Sequence, residues 1–341
     1  MAELLDIQRL SVEYGTSRGS VRALESVSVK VREEEFLAVV GESGCGKTTL
    51  GLAMIGLLPQ GSARVTGGSM TYKGVDLANL TMDQTKKYRG SEIAMIFQEP
   101  LTSLNPLRRV GEQIAEAIVL RKQRKESDPA RMGPPRLPGR KWKLPEGLKS
   151  EVEQMLNLVR IPDPEHIVER YPFELSGGMR QRVMIAMALS QQPALLIADE
   201  PTTALDVTTQ AQVLKLMKEI RDKLGTTILL VTHDLAVASQ VADRVIVMYA
   251  GQIVEDAEVH DIFAKPRHPY TQGLLACIPS GTREGKQLVP IKGTIPDLIT
   301  ASNSCRFQPR CPYAMDVCAK REPELAEVAK DHRVSCFLYG Q

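Results

Sequence analysis

Apolar positions along this chain follow two rhythms. Ile7–Val12 and Ser26–Val31 alternate apolar with polar side chains, the period-two pattern of half-buried strands, and predict an early antiparallel pair. Phe36–Val40 is five apolar residues in a row, the mark of a strand buried on both faces. Ala194–Asp199, Thr227–Thr232 and Arg244–Tyr249 predict further strands of this kind, and Glu92–Gln98 reads as a strand. Between them, helices are predicted over Leu50–Leu58, Val110–Leu120, Met179–Ser190, Thr208–Leu224 and Leu235–Ala242. Strands alternating with helices predict an α/β fold with a parallel sheet covered on both faces.

Two segments break the rhythm. Residues 121–150 hold ten Lys/Arg against three Asp/Glu, a net +7, together with Pro129, Pro134, Pro135, Pro138 and Pro145. Neither helix nor strand is expected across so many prolines. Near residue 257 the alternation stops, and Pro and Cys become frequent to the end. No internal repeat is visible.

Composition narrows the class. The 341 residues are about two average domains' worth of chain. With 43% hydrophobic, 25% charged and 4% aromatic residues, disorder, collagen-like repeats and small disulfide scaffolds are excluded as the main architecture. The net charge of +2, from 43 Lys+Arg and 41 Asp+Glu, does not suit nucleic-acid binding across the whole surface. Taking the +7 of residues 121–150 from this total leaves −5 on the remainder. Apolar runs such as Val245–Ala250 are strand-sized, well short of the roughly 18 residues of a membrane span. The opening MAELLDIQRL lacks a basic segment followed by an apolar one, so no signal peptide is expected and a cytosolic setting is. There, six cysteines suggest metal ligands or free thiols before disulfides.

Three loops carry the chemistry. GESGCGKTT (Gly41–Thr49) fits G-x-x-x-x-G-K-[ST] between a predicted buried strand and a predicted helix, the context the motif needs. Glycines let backbone N–H groups turn around phosphate oxygens, and the helix start adds positive charge. Lys47 is placed for the β- and γ-phosphates and Thr48 for Mg²⁺; Cys45 reads as a small loop residue, and a chance Gly-rich turn is the bland alternative. LLIADEP (Leu195–Pro201) ends a hydrophobic strand with two carboxylates. Asp199 can hold Mg²⁺ and Glu200 can polarise the attacking water; a helix-capping pair is the alternative. LSGGMRQR (Leu175–Arg182) precedes an apolar helix, with Ser176 a good N-cap and Gly177 and Gly178 leaving room for an anion. Alone it could be a plain capped turn, but one chain rarely needs two γ-phosphate cradles.

Over residues 4–257 the sequence resembles the nucleotide-binding subunits of ATP-binding cassette (ABC) transporters. The motifs stand in that family's order: GESGCGKTT as Walker A, Gln98 as Q-loop, LSGGM as signature, Ala204–Asp206 as D-loop after Walker B (LLIADE), and His233 in VTHD as switch histidine. The resemblance implies a P-loop NTPase (RecA-like) core with an antiparallel β subdomain and an α-helical subdomain at about 99–180. It implies that ATP is held by Tyr14, Gly41, Ser43, Gly44, Cys45, Gly46, Lys47, Thr48, Thr49 and Gln98. Mg²⁺ would be met by Thr48, Gln98 and Asp199. Glu200 would be the catalytic base, and His233 would contact the γ-phosphate and hold Glu200 and the water. Tyr14 would stack on adenine, and it also suits a strand aromatic of the core; without the family, His233 reads equally as a strand-end histidine. Two such subunits face head to tail, so Ser176, Gly177 and Gly178 would serve the partner's ATP, and Asp206 would belong to the D-loop.

Phe97–Ile114, HPYTQGLL (His268–Leu275) and the tail CRFQPRCPYAMDVC resemble the oligopeptide/dipeptide importer ATPases, and GGMRQR is similar to the first of their two ATPase subunits. The resemblance implies a heterodimer with a second ATPase, two transmembrane permeases and an extracytoplasmic substrate-binding protein. It places the chain on the cytoplasmic face of the inner membrane, with an ATPase domain at 1–257 and a small irregular extension at 258–341. Nickel-importer ATPases share much of the pattern and leave a second cargo reading. A soluble ABC ATPase acting on nucleic acid would usually carry two cassettes or a long coiled-coil insertion, so no nucleic-acid partner is expected. A regulatory cassette is disfavoured by Glu200 and His233.

Cys305, Cys311, Cys318 and Cys336 are separated by five, six and seventeen residues. Four thiolates so spaced can close a [4Fe–4S] or a Zn²⁺ site, or hold no metal. Loop-borne spacing without C-x-x-C knuckles favours the cluster, which some members of the resembling family carry. Residues 121–150 depart from the family: a solvated loop, or a contact with anionic lipid headgroups.

Overall fold

The computed structural model describes residues 2–98, 103–125, 144–203, 205–278, 290–299 and 304–340. Ala204, residues 99–102 and most of the basic Pro-rich stretch (126–143), all invoked above, lie outside them. The chain forms two compact units, Met1–Thr85 with Leu229–Gln341, and Lys86–Ile228.

In the first unit an antiparallel sheet runs in the order Gly19–Arg32, Glu3–Thr16, Ala63–Tyr72, Val75–Asp76. The two early strands are each 14 residues long, well beyond their alternating cores. Ala63–Tyr72 is not foreseen from the sequence because Gly67 and Gly68 interrupt it. Gly68 has φ +86°, and a Cβ there would stand 2.4 Å from the Arg9 carbonyl oxygen, at a register shift between Gln8 and Ser11. The glycines thus mark a bulge inside a strand, not its end.

A second sheet of this unit has Phe36–Val40 parallel to Arg244–Tyr249, with every residue of both strands buried. Gln252–Glu258 pairs antiparallel with Arg244–Tyr249, and His332–Val334 and Ala326–Ala329 extend it from the tail. These last strands are three and four residues long, too short for a periodic signal. The two helices Val259–Ala264 and Pro269–Ala276 continue regular structure past residue 257.

In the second unit Ile93–Ile96 pairs parallel with Leu195–Asp199, and the Thr227 amide donates to the Ala194 carbonyl at 2.9 Å. Helices Val110–Lys125, Glu146–Leu158, Pro164–Ile167, Gly177–Leu189 and Val207–Leu224 complete it. Residues 121–125 and 146–150 are helical, against the expectation for residues 121–150. The first belongs to the end of a helix that precedes the prolines, and the second begins just after Pro145. Pro at a helix start costs no hydrogen bond. Buried Gln113 organises the turn before its helix, accepting from the Asn105 amide at 2.9 Å and donating to the Asn105 and Arg108 carbonyls at 3.1 Å. The mixture of sheets and helices is the α/β class expected.

One buried polar cluster fixes the start of the C-terminal region. Glu255 is 0% exposed. Its carboxylate accepts from the amides of Arg267 at 2.6 Å and His268 at 2.9 Å, and pairs with His332 Nε2 at 2.7 Å. His268 in turn caps helix Pro269–Ala276, its Nδ1 accepting from the Tyr270 amide at 3.0 Å. An accepting Nδ1 carries no proton, and burial pushes the His268 pKa down to about 4. The unfolded chain protonates this histidine near pH 6.5. Between that pH and 4 the unfolded state therefore binds more protons, and stability falls as pH drops through the window. Urea unfolding at pH 7 and pH 5 should show the parent losing about 2 kcal/mol more than His268→Asn, whose amide can still cap but does not titrate. Identical pH dependence in both would contradict a neutral His268.

Candidate active site

Strand Phe36–Val40 leads straight through Gly41–Gly46 into helix Lys47–Met54. Gly46 makes the turn with φ 104°, and a Cβ there would stand 2.5 Å from the Ala23 carbonyl oxygen. Only glycine allows that approach. Lys47 is 5% exposed, with Nζ donating to the carbonyls of Gly41 at 2.7 Å and Glu42 at 3.0 Å. Its ammonium is thus folded over the loop, inside the ring of backbone that the motif predicts. Cys45 is buried beneath it, burial raising its thiol pKa. Ser43, Gly44 and Thr48 are exposed. The Tyr14 hydroxyl stands 3.4 Å from Thr49 Oγ1. A helix start, a Gly-rich backbone, one cation and the Thr48 hydroxyl make a donor set that fits a triphosphate and a hard divalent ion. His233 is exposed just after strand Thr227–Thr232, and Asp234 caps the next helix by accepting from the Ala236 amide at 2.7 Å.

In the second unit Leu195–Asp199 is wholly buried, and Asp199 is 4% exposed at its end. Glu200 follows with φ +45°, the left-handed region that a non-glycine residue enters at a cost of about 1 kcal/mol or more. Two donors converge on its Oε2: Gln98 Nε2 at 3.1 Å and Thr203 Oγ1 at 2.9 Å. The sequence reading named Gln98 and Glu200 separately; the structure brings them together. Thr203 was not singled out, and its only sequence signal is a hydroxyl three residues after the carboxylate.

The third loop opens helix Gly177–Leu189. Ser176 caps it as expected, its Oγ accepting from the Met179 amide at 3.3 Å. Ser176, Gly177, Gly178 and Asp206 line one cavity of about 410 Å³. Arg160 and Arg182 also line it and give it a positive wall that sequence spacing did not single out. Asp206 caps helix Val207–Leu224, accepting from the Thr209 amide at 2.9 Å and hydroxyl at 2.7 Å, and these bonds hold its pKa below the ordinary value.

Among the described residues no group of three or more His, Cys, Asp or Glu is placed to hold a metal ion. Cys305, Cys311, Cys318 and Cys336 share the tail: the Cys305 amide donates to the Cys318 carbonyl at 2.9 Å, and the four thiols stand near enough to influence one another electrostatically. Burial raises the Cys305 thiol to about 11 and also raises those of Cys311 and Cys336.

Comparison with known proteins places these features. Residues 24–203 match the ABC transporter family, and residues 254–318 match the oligopeptide/dipeptide transporter C-terminal region. The chain is 45% identical over 341 residues to the dipeptide transport ATP-binding protein DppD of Bacillus subtilis (strain 168), covering 100% of this chain and 96% of that one. It is 41% identical over 333 residues to DppD of Escherichia coli (strain K12), covering 98% and 96%. Among solved structures, a post-hydrolysis dimer of the ATP-binding cassette MJ0796 bound to ADP and Pi superposes with a TM-score of 0.61. It is 25% identical and covers 75% of this chain and 98% of that one. Sharing both family regions and full-length relatives, the chain belongs to the ABC transporter family, among the ATP-binding subunits that energise dipeptide and oligopeptide uptake by hydrolysing ATP.

Proposed function

We propose that this ATPase works with two unlike anion receptors. In the first unit the amides of Gly41–Thr49 and Lys47 take the β- and γ-phosphates, Thr48 offers its hydroxyl to Mg²⁺, and Tyr14 faces the adenine. His233 contacts the γ-phosphate. In the second unit Asp199 and Gln98 offer oxygen ligands to Mg²⁺, which would neutralise charge on the phosphates when bound. Glu200 accepts the proton of the attacking water, so that ATP and H₂O become ADP and phosphate. The observation that carries this assignment is the convergence of Gln98 and Thr203 on one oxygen of Glu200. Both donors favour the ionised carboxylate, the form a base needs.

The Ser176 cavity serves the ATP of a second, related ATPase subunit. Its support is chemical: a helix start capped by Ser176 with glycine at its first two positions, and two arginines. A heterodimer bound to two permeases at the cytoplasmic membrane face, fed by a binding protein, is the assembly we propose, with the relatives' role in peptide transport as its support. No helix among the described residues is long and apolar enough to cross a membrane. The ATPase domain at 1–257 and extension at 258–341 remain our division of the chain.

The tail cysteines carry a finer reading, a [4Fe–4S] cluster or Zn²⁺. Its support is that amides of Tyr313 and Met315 donate to Cys311 Sγ at 3.4 Å and Cys318 Sγ at 3.5 Å. Such bonds stabilise thiolates of the kind that bind metal. No step of ATP hydrolysis runs through it.

Two measurements check these readings. In membranes carrying the complete importer, Glu200→Gln should retain bound ATP while turnover drops by on the order of 100-fold or more; turnover near the parent's would remove Glu200 from the role of base. Anaerobically purified protein should carry iron and acid-labile sulfide, or zinc, in proportion to the chain. A colourless, metal-free protein would dispose of the cysteine site.

A further inference from the structure

The phosphate loop is gripped from the C-terminal region at one residue, Glu42. Arg310, the residue before Cys311, meets the Glu42 carboxylate with both terminal nitrogens, Nη1 to Oε2 at 2.8 Å and Nη2 to Oε1 at 3.0 Å. The remaining donors of this guanidinium are also used. Nη1 reaches the Tyr249 hydroxyl at 3.3 Å and Nε donates to the Lys292 carbonyl at 2.9 Å. Its side chain is 5% exposed against 28% for Glu42, and it lies over the Tyr249 ring at 5.6 Å. A forked pair held this way has fixed geometry as well as charge.

The same residue is held a second time through its backbone. The Glu42 amide donates to the Tyr270 hydroxyl at 2.9 Å. Tyr270 is fully buried, packed against Tyr249 at 4.7 Å and Phe307 at 5.5 Å, and its own amide is the one that His268 caps. The run His268-Pro269-Tyr270 thus has a mechanical meaning: histidine and proline start a helix, and the tyrosine reaches the loop. The Glu42 carbonyl in turn accepts from Lys47 Nζ and, at 3.3 Å, from the Cys45 amide. Side chain, amide and carbonyl of Glu42 therefore join the tail to the lysine that the triphosphate must meet.

We propose that Arg310 and Tyr270 are positioning residues of the ATPase, which hold the phosphate loop through Glu42 in the shape that receives ATP. This rests on the reading that Gly41–Thr49 binds the nucleotide. It gives the C-terminal extension a part in nucleotide affinity, exerted on the loop and not on the reacting atoms.

The test is ATP binding by the full chain, followed with a fluorescent ATP analogue, with the nucleotide-free melting temperature recorded beside it. Arg310→Ala and Glu42→Gln should each weaken binding about tenfold. Their double variant should bind no worse than either single, because both break one pair. Arg310→Lys, which keeps the charge but not the fork, should recover to within about threefold of the parent. Tyr270→Phe removes a single oxygen from a packed ring and should weaken ATP about threefold while melting near the parent temperature. Binding within the parent's error in Tyr270→Phe and both single variants overturns the proposal, as does a double variant whose losses multiply. Lys47→Ala separates the two readings. If it abolishes binding while the Glu42 and Arg310 variants bind like the parent, the positioning role alone fails; if it binds like the parent, the loop is not the ATP site.

Discussion

A phosphate loop works only if its backbone already points inward before the phosphate arrives. Here that constraint falls on Glu42, the second residue of the loop. Its carboxylate is forked by Arg310, its amide is fixed on Tyr270, and its carbonyl receives Lys47. Remove these ties and a run of glycines is left to find its own shape, with the conformational entropy that glycine brings. The close seat of Gly46 against the Ala23 carbonyl serves the same end from the other side. Preorganisation of this sort means that binding energy is not spent ordering the receptor.

On the proposed reading the signature loop of the second unit would meet an anion differently. It has no lysine; its charge comes from Arg160 and Arg182 and from the start of a 13-residue helix whose cap, Ser176, is engaged with Met179. Glu200 is held differently again, by two donors and a left-handed backbone. On the proposed reading the loop would bind charge, the signature cavity would read it, and the carboxylate would accept a proton. A peptide importer's ATPase needs all three in one chain.

Much of this was legible in the sequence, for physical reasons. Phe36–Val40, Thr227–Thr232 and Arg244–Tyr249 have the bounds predicted for them, because a strand buried on both faces carries a continuous apolar interior that alternation cannot confuse with a surface strand. The phosphate loop and the Ser176 cap are local motifs, and local motifs can be read without a fold. Ala63–Tyr72 hid behind its two glycines, and the tail strands were too short to show a period. The ties on Glu42 were invisible for another reason: Arg310 lies 268 residues away and Tyr270 228, and no spacing rule spans such a gap. The cysteine spacing names four thiols of one region, but spacing alone does not say in what geometry they stand.

The hold on Glu42 requires that the loop be shaped before nucleotide binds. Hydrogen exchange of the Glu42 amide in the nucleotide-free chain, resolved residue by residue, asks this directly. A preformed loop exchanges far more slowly than an unstructured amide, matching the neighbouring buried strand within about an order of magnitude. Exchange at the rate of a free loop, slowing only once ATP is added, would contradict it.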